Sequence, residues 1–543
     1  MVMPHDRDDR FLPLLNLQQQ YIEEYLVEAC SRHPLIELCW GQKVIGFTPI
    51  EPGATVRIDA STGEYELRAD WVVAADGGRS TLRRLLEQRL DGRSYSGRFI
   101  ICDIKAPIDL PTERLCYFEP PWNPGSNVLV HRLPDSIWRI DLKLPDGESP
   151  EEALQTARVT QRIESVLEMI GQPVRWELDW AAVYSANTLT LPDYRVGSVL
   201  FVGDAAHLLP IFGVRGLNTG MQDANNLAWK LAFVVRGLAP SSLLGTYSGE
   251  RVQAAREICT EAGRSTRFMS PQTEGSRLLR DAVLSFSLSQ TFANDLLHWR
   301  TSRPHDYAAS PLNTITDDDG SFAGGISCGR PIRNVELREG RFLFDRLSGT
   351  SGFHLLIFTG DAPLTGELHD LLEAIPSCSV PVVRVLIRRG PAGDQLPADV
   401  QVADPAEHAH EKYGARPGTI YLVRPDFHVC ARWLKPTLAG VQEAILKATR
   451  GEPSNAEAPH PAEAESTGPT AGPERPLERR LPVHDLETIY DAIAEAVDAV
   501  PRGQTALMLT KLSLALANLV GDRAQIEHAL RASVADLQNS AIS

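Results

Sequence analysis

No run of apolar residues in this 543-residue chain reaches the roughly 18 that cross a bilayer. The best candidate, 505–520, is interrupted by Lys511 and Asn518, and the charged N-terminus has no apolar signal core. A soluble, cytoplasmic protein is expected. No CxxC pair occurs either. The eight cysteines, at 30, 39, 102, 116, 259, 328, 378 and 430, are scattered and form no Cys/His cluster at metal-ligand spacing. Reduced thiols and no metal site are expected. Positive charge is in deficit, with 54 Lys and Arg against 70 Asp and Glu, a net charge of −16. That excludes a nucleic-acid binder, which needs clustered cations against phosphates. No internal repeat is visible. What is plentiful is core material: 43% of residues are hydrophobic, and the length suits about three domains.

The most informative stretch is 197–235. An apolar run, 199–202, stops at Gly203 and Asp204; Pro210, Gly213, Gly216, Leu217 and Asn218 follow, and a helical pattern then runs to about Val235. Strand, tight turn, glycine loop and helix start are the parts of a site for an anionic or polyhydroxyl ligand. Glycines allow close backbone approach, and a helix start offers amide groups with partial positive charge. Alone, Asp204 would be an ordinary turn aspartate. A second strand-like run, 71–75, ends at Asp76, Gly77 and Gly78 and opens a helix at 80–86. Arg79 and Arg83 read equally as solvated helix charges or as site groups, and His207 by itself reads as structural.

Elsewhere, apolar spacing predicts a helix over 14–30 and strands over 35–47, 54–58 and 65–67. Residues 99–144 read as mostly β, with a hairpin about Pro134 and Asp135. A helix over 151–170, a strand over 174–184 and helices to about Arg300 follow. The Pro/Asp/Ser/Gly-rich stretch 303–330 reads as a linker. Strands and helices alternate over 331–450, including a strand at 342–344, which predicts a compact α/β unit. Residues 451–481 read as a disordered linker. Beyond it, 482–543 should form three helices, the second over 505–519 and the third over 523–537.

Taken together, Gly203, Asp204, His207, Pro210, Gly213, Gly216, Asn218 and Asp223 resemble the second FAD-binding motif of single-component FAD-dependent aromatic hydroxylases. The Asp76-Gly77-Gly78-Arg79-Ser80 turn resembles their middle motif. The likeness continues through 247–251 and is strongest to members similar to 3-(3-hydroxyphenyl)propionate hydroxylase. Residues 329–432, with Arg424 and Asp426, resemble those members' thioredoxin-like domain, redox-inactive here for want of CxxC. The resemblance implies an α/β chain: an FAD/NAD(P)-binding Rossmann-like domain with an inserted β-rich substrate domain over 1–302, a thioredoxin-like domain over 331–450, and a small all-α domain over 482–543.

It implies FAD as cofactor, NAD(P)H as reductant, and O2 and a small aromatic, phenolic substrate, with a homodimer as one possible assembly. Asp204 would hold the ribityl chain, while Gly216, Leu217 and Asn218 would line the flavin pyrimidine edge and Pro210 would lie near the reactive carbon. Asp76 and Gly77 would stand near the pyrophosphate, and Gln19 on the phosphate–ribityl side. Ile211 and Val214 depart from the family's proline and glycine. The first Gly-x-Gly-x-x-Gly segment of these enzymes is not found in the sequence, so the Rossmann-like unit is expected to be incomplete. Three readings follow: an enzyme lacking its first segment, a partner completed by another chain, or a non-catalytic remnant.

Overall fold

The computed structural model describes residues 8, 10, 11, 15–145, 147–210, 215–288, 291–297, 305–338, 340–360, 366–375, 378–390, 398–450, 479–501 and 503–534. Helix α1 (Gln19–Arg32) starts later than its apolar spacing predicts and buries none of its side chains. Strands β1 (Lys43–Pro49), β2 (Ala54–Ala60) and β3 (Gly63–Ala69) make an antiparallel meander. Residues 35–42, expected as strand, are irregular, because Gly41 turns the chain at φ +68°. Strand β4 (Val72–Ala74) is short, and the helix after it, α2 (Thr81–Leu85), is capped by Ser80.

The β-rich middle is a six-stranded antiparallel sheet. Strands β5 (Asp91–Lys105), β6 (Arg114–Phe118), β7 (Asn127–Arg132) and β8 (Ile137–Lys143) precede helices α3 (Pro150–Ala153) and α4 (Thr156–Met169). Strand β9 (Glu177–Thr190) returns alongside β5. The β7–β8 turn is the predicted one: Asp135 and Ser136 both take positive φ, +61° and +60°, the type I′ geometry that matches strand twist. One face of this sheet, with Ile100, Cys102, Val130 and Ile140, packs on Val159, Ile163 and Val166 of α4.

Strands β10 (Arg195–Val196) and β11 (Val199–Phe201) join β4 in a second sheet of order β10–β11–β4. Strand β12 (His207–Leu208) pairs with β9, so the six-stranded sheet reads β12–β9–β5–β8–β7–β6. Helices α5 (Gly216–Val235), α6 (Leu243–Met269) and α7 (Glu274–Ser287) follow.

The stretch expected as a linker is packed where it is described: Tyr307, Leu312, Ile326 and Cys328 are buried. Strands β13 (Glu336–Arg338) and β14 (Arg341–Phe342) pair. Residues 343–344, expected as strand, instead open helix α8 (Leu343–Leu347), whose first turn Asp345 caps. A five-stranded sheet completes this part. It comprises β15 (Phe353–Thr359), β16 (Val382–Arg388), β17 (Val400–Ala403), β18 (Ile420–Val423) and β19 (Val429–Trp433), in the order β17–β16–β15–β18–β19. Helices α9 (Gly366–Ala374), α10 (His408–Lys412) and α11 (Leu438–Arg450) accompany it. Its apolar core is continuous with α5: Trp229 and Phe233 meet Phe353 edge-on, with ring centroids 5.9 and 6.1 Å apart.

Most of the stretch expected as disordered, 451–478, lies outside the described residues, as do 535–537 at the end of the third tail helix. Helix α12 (Val483–Asp498) docks on α7, while α13 (Thr505–Val520) buries none of its residues and α14 (Arg523–Val534) follows it. None of the described helices is long and apolar enough to cross a membrane. Helices α7 and α12 meet backbone to backbone: a Cβ on Gly275 would stand 2.2 Å from the carbonyl oxygen of Ala494. Gly275→Ala is expected to cost about 1–3 kcal/mol by overpacking. The checks are a lower thermal midpoint and faster proteolysis within 479–501 at unchanged helix content elsewhere.

Candidate functional site

Two short strands bring the sequence motifs together. Strands β4 and β11 run parallel, Val72 opposite Val199 and Ala74 opposite Phe201, and the amide of Val202 donates to the carbonyl of Ala74 at 3.1 Å. Their carboxyl ends therefore open side by side, at Asp76 and at Gly203–Ala205, the position where ligands bind parallel sheets. Arg83 of α2 ties the two turns together. Its guanidinium donates to the carbonyls of Ala205 (2.9 Å) and Asp204 (3.4 Å) on one side and of Gly78 on the other. Asp76 accepts from the amides of Thr81 (2.7 Å) and Leu82 (3.1 Å) and so caps α2. Gly77 takes φ +78° in the turn between them.

Asp204 is exposed in a 3₁₀ turn that begins at Gly203 with φ +56°. The start of α5 lies against that turn, and a Cβ on Gly220 would stand 3.4 Å from Gly203 Cα. Among the described residues no side chain caps α5, and its first turn has no acidic residue, so the positive end of its dipole can favour an anionic group. Leu217 is exposed, while Thr219 is buried with a hydroxyl that finds no partner among the described residues. Pro210 is buried; Ile211, Gly213 and Val214 lie outside the described residues. Gln19 is not hydrogen-bonded to either motif: its amide nitrogen donates to Glu23 (2.7 Å).

Beneath the turn, Asp223 of α5 accepts from the amide of Gly203 (3.0 Å), from His207 Nε2 (2.8 Å) and from Arg251 Nε (2.6 Å). Burial alone would raise the Asp223 carboxyl, but the Arg251 charge and the hydrogen bonds from His207 and Arg251 outweigh it and hold it below the usual range. His207, fully buried, thus has a structural part. Arg251 also donates to the Tyr307 hydroxyl (2.9 Å) and to the carbonyl of Thr219 (3.2 Å).

A second buried ionic group continues along α5. Glu250 accepts from both terminal nitrogens of Arg424 (2.6 and 2.9 Å), from Lys230 (2.8 Å) and from Asn226 (2.7 Å). Arg424 also pairs with Asp426, which accepts from Trp229 Nε1 (3.1 Å). Burial lowers the Lys230 ammonium to about 8.

No spacing in the sequence connects Glu250 and Arg251, within 247–251, to Arg424 and Asp426, and nothing in it marks Tyr307. One signal was available. Thr219, Asp223, Asn226 and Lys230 fall at helical spacing on one stripe of an otherwise apolar helix, and all four are buried. A buried polar stripe requires polar partners, here from α6, the 305–330 stretch and the C-terminal sheet.

Residues 5–262 match the family described as FAD binding domain. Over 267 residues the chain is 30% identical to the 3-(3-hydroxy-phenyl)propionate/3-hydroxycinnamic acid hydroxylase of Escherichia coli O81 (strain ED1a), covering 49% of this chain and 47% of that protein. The protein of that description from Paraburkholderia xenovorans (strain LB400) is 32% identical over 268 residues, covering 49% and 42%. The chain thus spans under half the length of these relatives. Two solved structures share the fold. The flavin-dependent monooxygenase PieE, in complex with FAD and substrate, has a TM-score of 0.63 at 24% identity, covering 80% of this chain and 79% of that one. A ternary complex of aklavinone-11 hydroxylase with FAD and aklavinone has a TM-score of 0.61 at 23% identity, covering 80% and 78%.

Proposed function

We propose that this chain, whose residues 5–262 match the FAD binding domain family and which is similar to aromatic hydroxylases, is an aromatic-ring monooxygenase using FAD, NAD(P)H and O2. The observation that carries this reading is the convergence of Asp76 and Asp204 at neighbouring strand ends, beside an uncapped helix start. These residues fit the flavin half of FAD. Asp204 is exposed for a polyhydroxyl chain, Gly203 and Gly220 leave no side chain between turn and helix, and the buried Thr219 hydroxyl has no partner among the described residues.

Bound there, FAD would supply the redox chemistry, passing electrons from NAD(P)H to O2 and one oxygen atom to the ring. The chain's own residues bind and orient. Asp204 accepts from ribityl hydroxyls, and the start of α5, at Gly216, Leu217 and Asn218, stabilises negative charge at the ring's polar edge. Arg83 and Asp223 hold the turn that carries Asp204, and Pro210 borders the ring; Gly213, outside the described residues, is assigned to the cofactor by resemblance alone. Asp76 and Gly77 belong to the pyrophosphate side, with Gln19 assigned to the phosphate–ribityl side by resemblance alone.

The test is a flavin absorbance and fluorescence titration of the purified chain. Asp204→Ala is expected to weaken FAD about tenfold, the worth of one charge-assisted hydrogen bond; equal affinity removes this assignment. One observation favours a second reading, an assembly partner completed by another chain. Among the described residues β4 is hydrogen-bonded to β11 alone, and Val73 is 42% exposed. A chain that stays colourless after FAD addition overturns the first reading and supports this one.

A further inference from the structure

Helix α13 is largely apolar over its 16 residues, with Lys511 its one charge, yet it buries none of them. A helix of that composition ordinarily lies covered on more than one side. Helices α12 and α14 touch it, and Thr505, Met508, Leu509 and Leu512 are half-buried together on one side. The other side is uncovered among the described residues. Leu507, Thr510, Leu514 and Ala517 recur there at alternating steps of three and four, the a/d spacing of a coiled-coil seam. Leu507 is 55% exposed and Leu514 67%. A single exposed leucine needs no explanation, but a seam at this spacing does.

Charge, shape and size all point to a second copy of this chain as the cover. No Asp or Glu occurs between Asp498 and Asp522, in a chain whose net charge is −16. Two chains of that charge repel one another, and α13 offers a face on which they meet without opposing carboxylates. The seam also matches itself. Let two such helices run antiparallel about a two-fold axis at the level of Leu512. Leu507 then meets Ala517 of the second copy and Thr510 meets its Leu514, so a large side chain faces a smaller one in every layer.

A seam about 24 Å long buries on the order of 400 Å2 per copy, half a standard interface, which sets a weak, reversible dimer with a dissociation constant on the order of 10–100 µM. A lipid surface is a poorer match. Thr510, Lys511 and Asn518 stand on the exposed side, and Lys511 is the helix's lone cation.

We propose that α13 is a self-association surface, pairing antiparallel with α13 of a second copy through Leu507, Thr510, Leu514 and Ala517. This goes beyond the monooxygenase reading and does not depend on it. Lys511 flanks the seam in both copies, so screening by salt tightens the pair.

The experiment is sedimentation velocity of the full chain at pH 7.5, from about 5 to 200 µM, in about 50 and 500 mM salt. Monomer at the low end, dimer at the high end and a shift towards dimer in the higher salt are expected. Leu514→Glu should weaken the dimer at least tenfold, with helix content by circular dichroism unchanged because the side chain is exposed. Leu519→Glu is the control: Leu519 is 79% exposed but projects from the other side of the helix, so the dimer should persist. Monomer at every concentration overturns the proposal, and flotation of that monomer with phosphatidylcholine vesicles would give the seam to a membrane. A dimer indifferent to Leu514→Glu, or one lost equally with Leu519→Glu, overturns it as well.

Discussion

Arg424→Met is expected to lower the unfolding free energy by about 3–5 kcal/mol, the cost of leaving a buried charge without its partner. The guanidinium is fully buried and answers Glu250 of α6 and Asp426 of its own loop, so its loss leaves Glu250 with Lys230, Asn226 and Ser310 and Asp426 with Trp229 and His428, short of one positive charge between them. The double variant Arg424→Met with Glu250→Gln should recover part of the loss, since coupled neighbours are not additive. Denaturant midpoints of the four proteins measure this. Acid sharpens the same test. Burial raises Glu250 and Asp426, but the Arg424 charge outweighs it, and both carboxyls sit below their ordinary range. A depressed carboxyl contributes stability above its unfolded value, near 4, and loses it as pH falls through its folded value. The natural chain should therefore lose stability below about pH 4. The Met variant, its carboxyls less depressed, should show a blunted loss there.

Asp223→Ala is expected to be comparably severe. It leaves Arg251 buried without its carboxylate and takes the acceptor from both the Gly203 amide and His207. A cost of about 3–5 kcal/mol is expected, with FAD binding lost alongside it because the Gly203 turn is freed. Asp223→Asn separates the two effects. It keeps the shape and one acceptor oxygen, so the fold should survive while FAD affinity drops about tenfold, in line with one charged hydrogen bond. Retention of the natural FAD affinity in the Asn variant would show that Asp223 supports the fold and does not position the turn.

The local parts of this architecture were readable in the sequence. The apolar run 199–202, the Gly203–Asp204 stop and the helix after it are short-range signals, and so is the β7–β8 hairpin about Pro134 and Asp135. Boundaries were less readable: 35–42 carries apolar residues that Gly41 keeps out of β1, and Leu343 and Phe344 join a helix because Asp345 caps it. The partners of buried charges were not readable at all. Glu250 and Arg424 stand 174 positions apart, and no spacing rule connects them. Tyr307 sits in a stretch whose composition reads as solvent-exposed, yet the Arg251 contact buries it.

The apolar core that Trp229 and Phe233 share with Phe353 and its neighbours sets where the chain can be recombined. A chimera joined between the N-terminal half and the C-terminal sheet would set one parent's aromatic knobs against sockets shaped by the other. Grafts that transfer α5 together with the sheet keep that interlock whole, so crossover points ahead of residue 216 should yield soluble hybrids where those near 330 give aggregates.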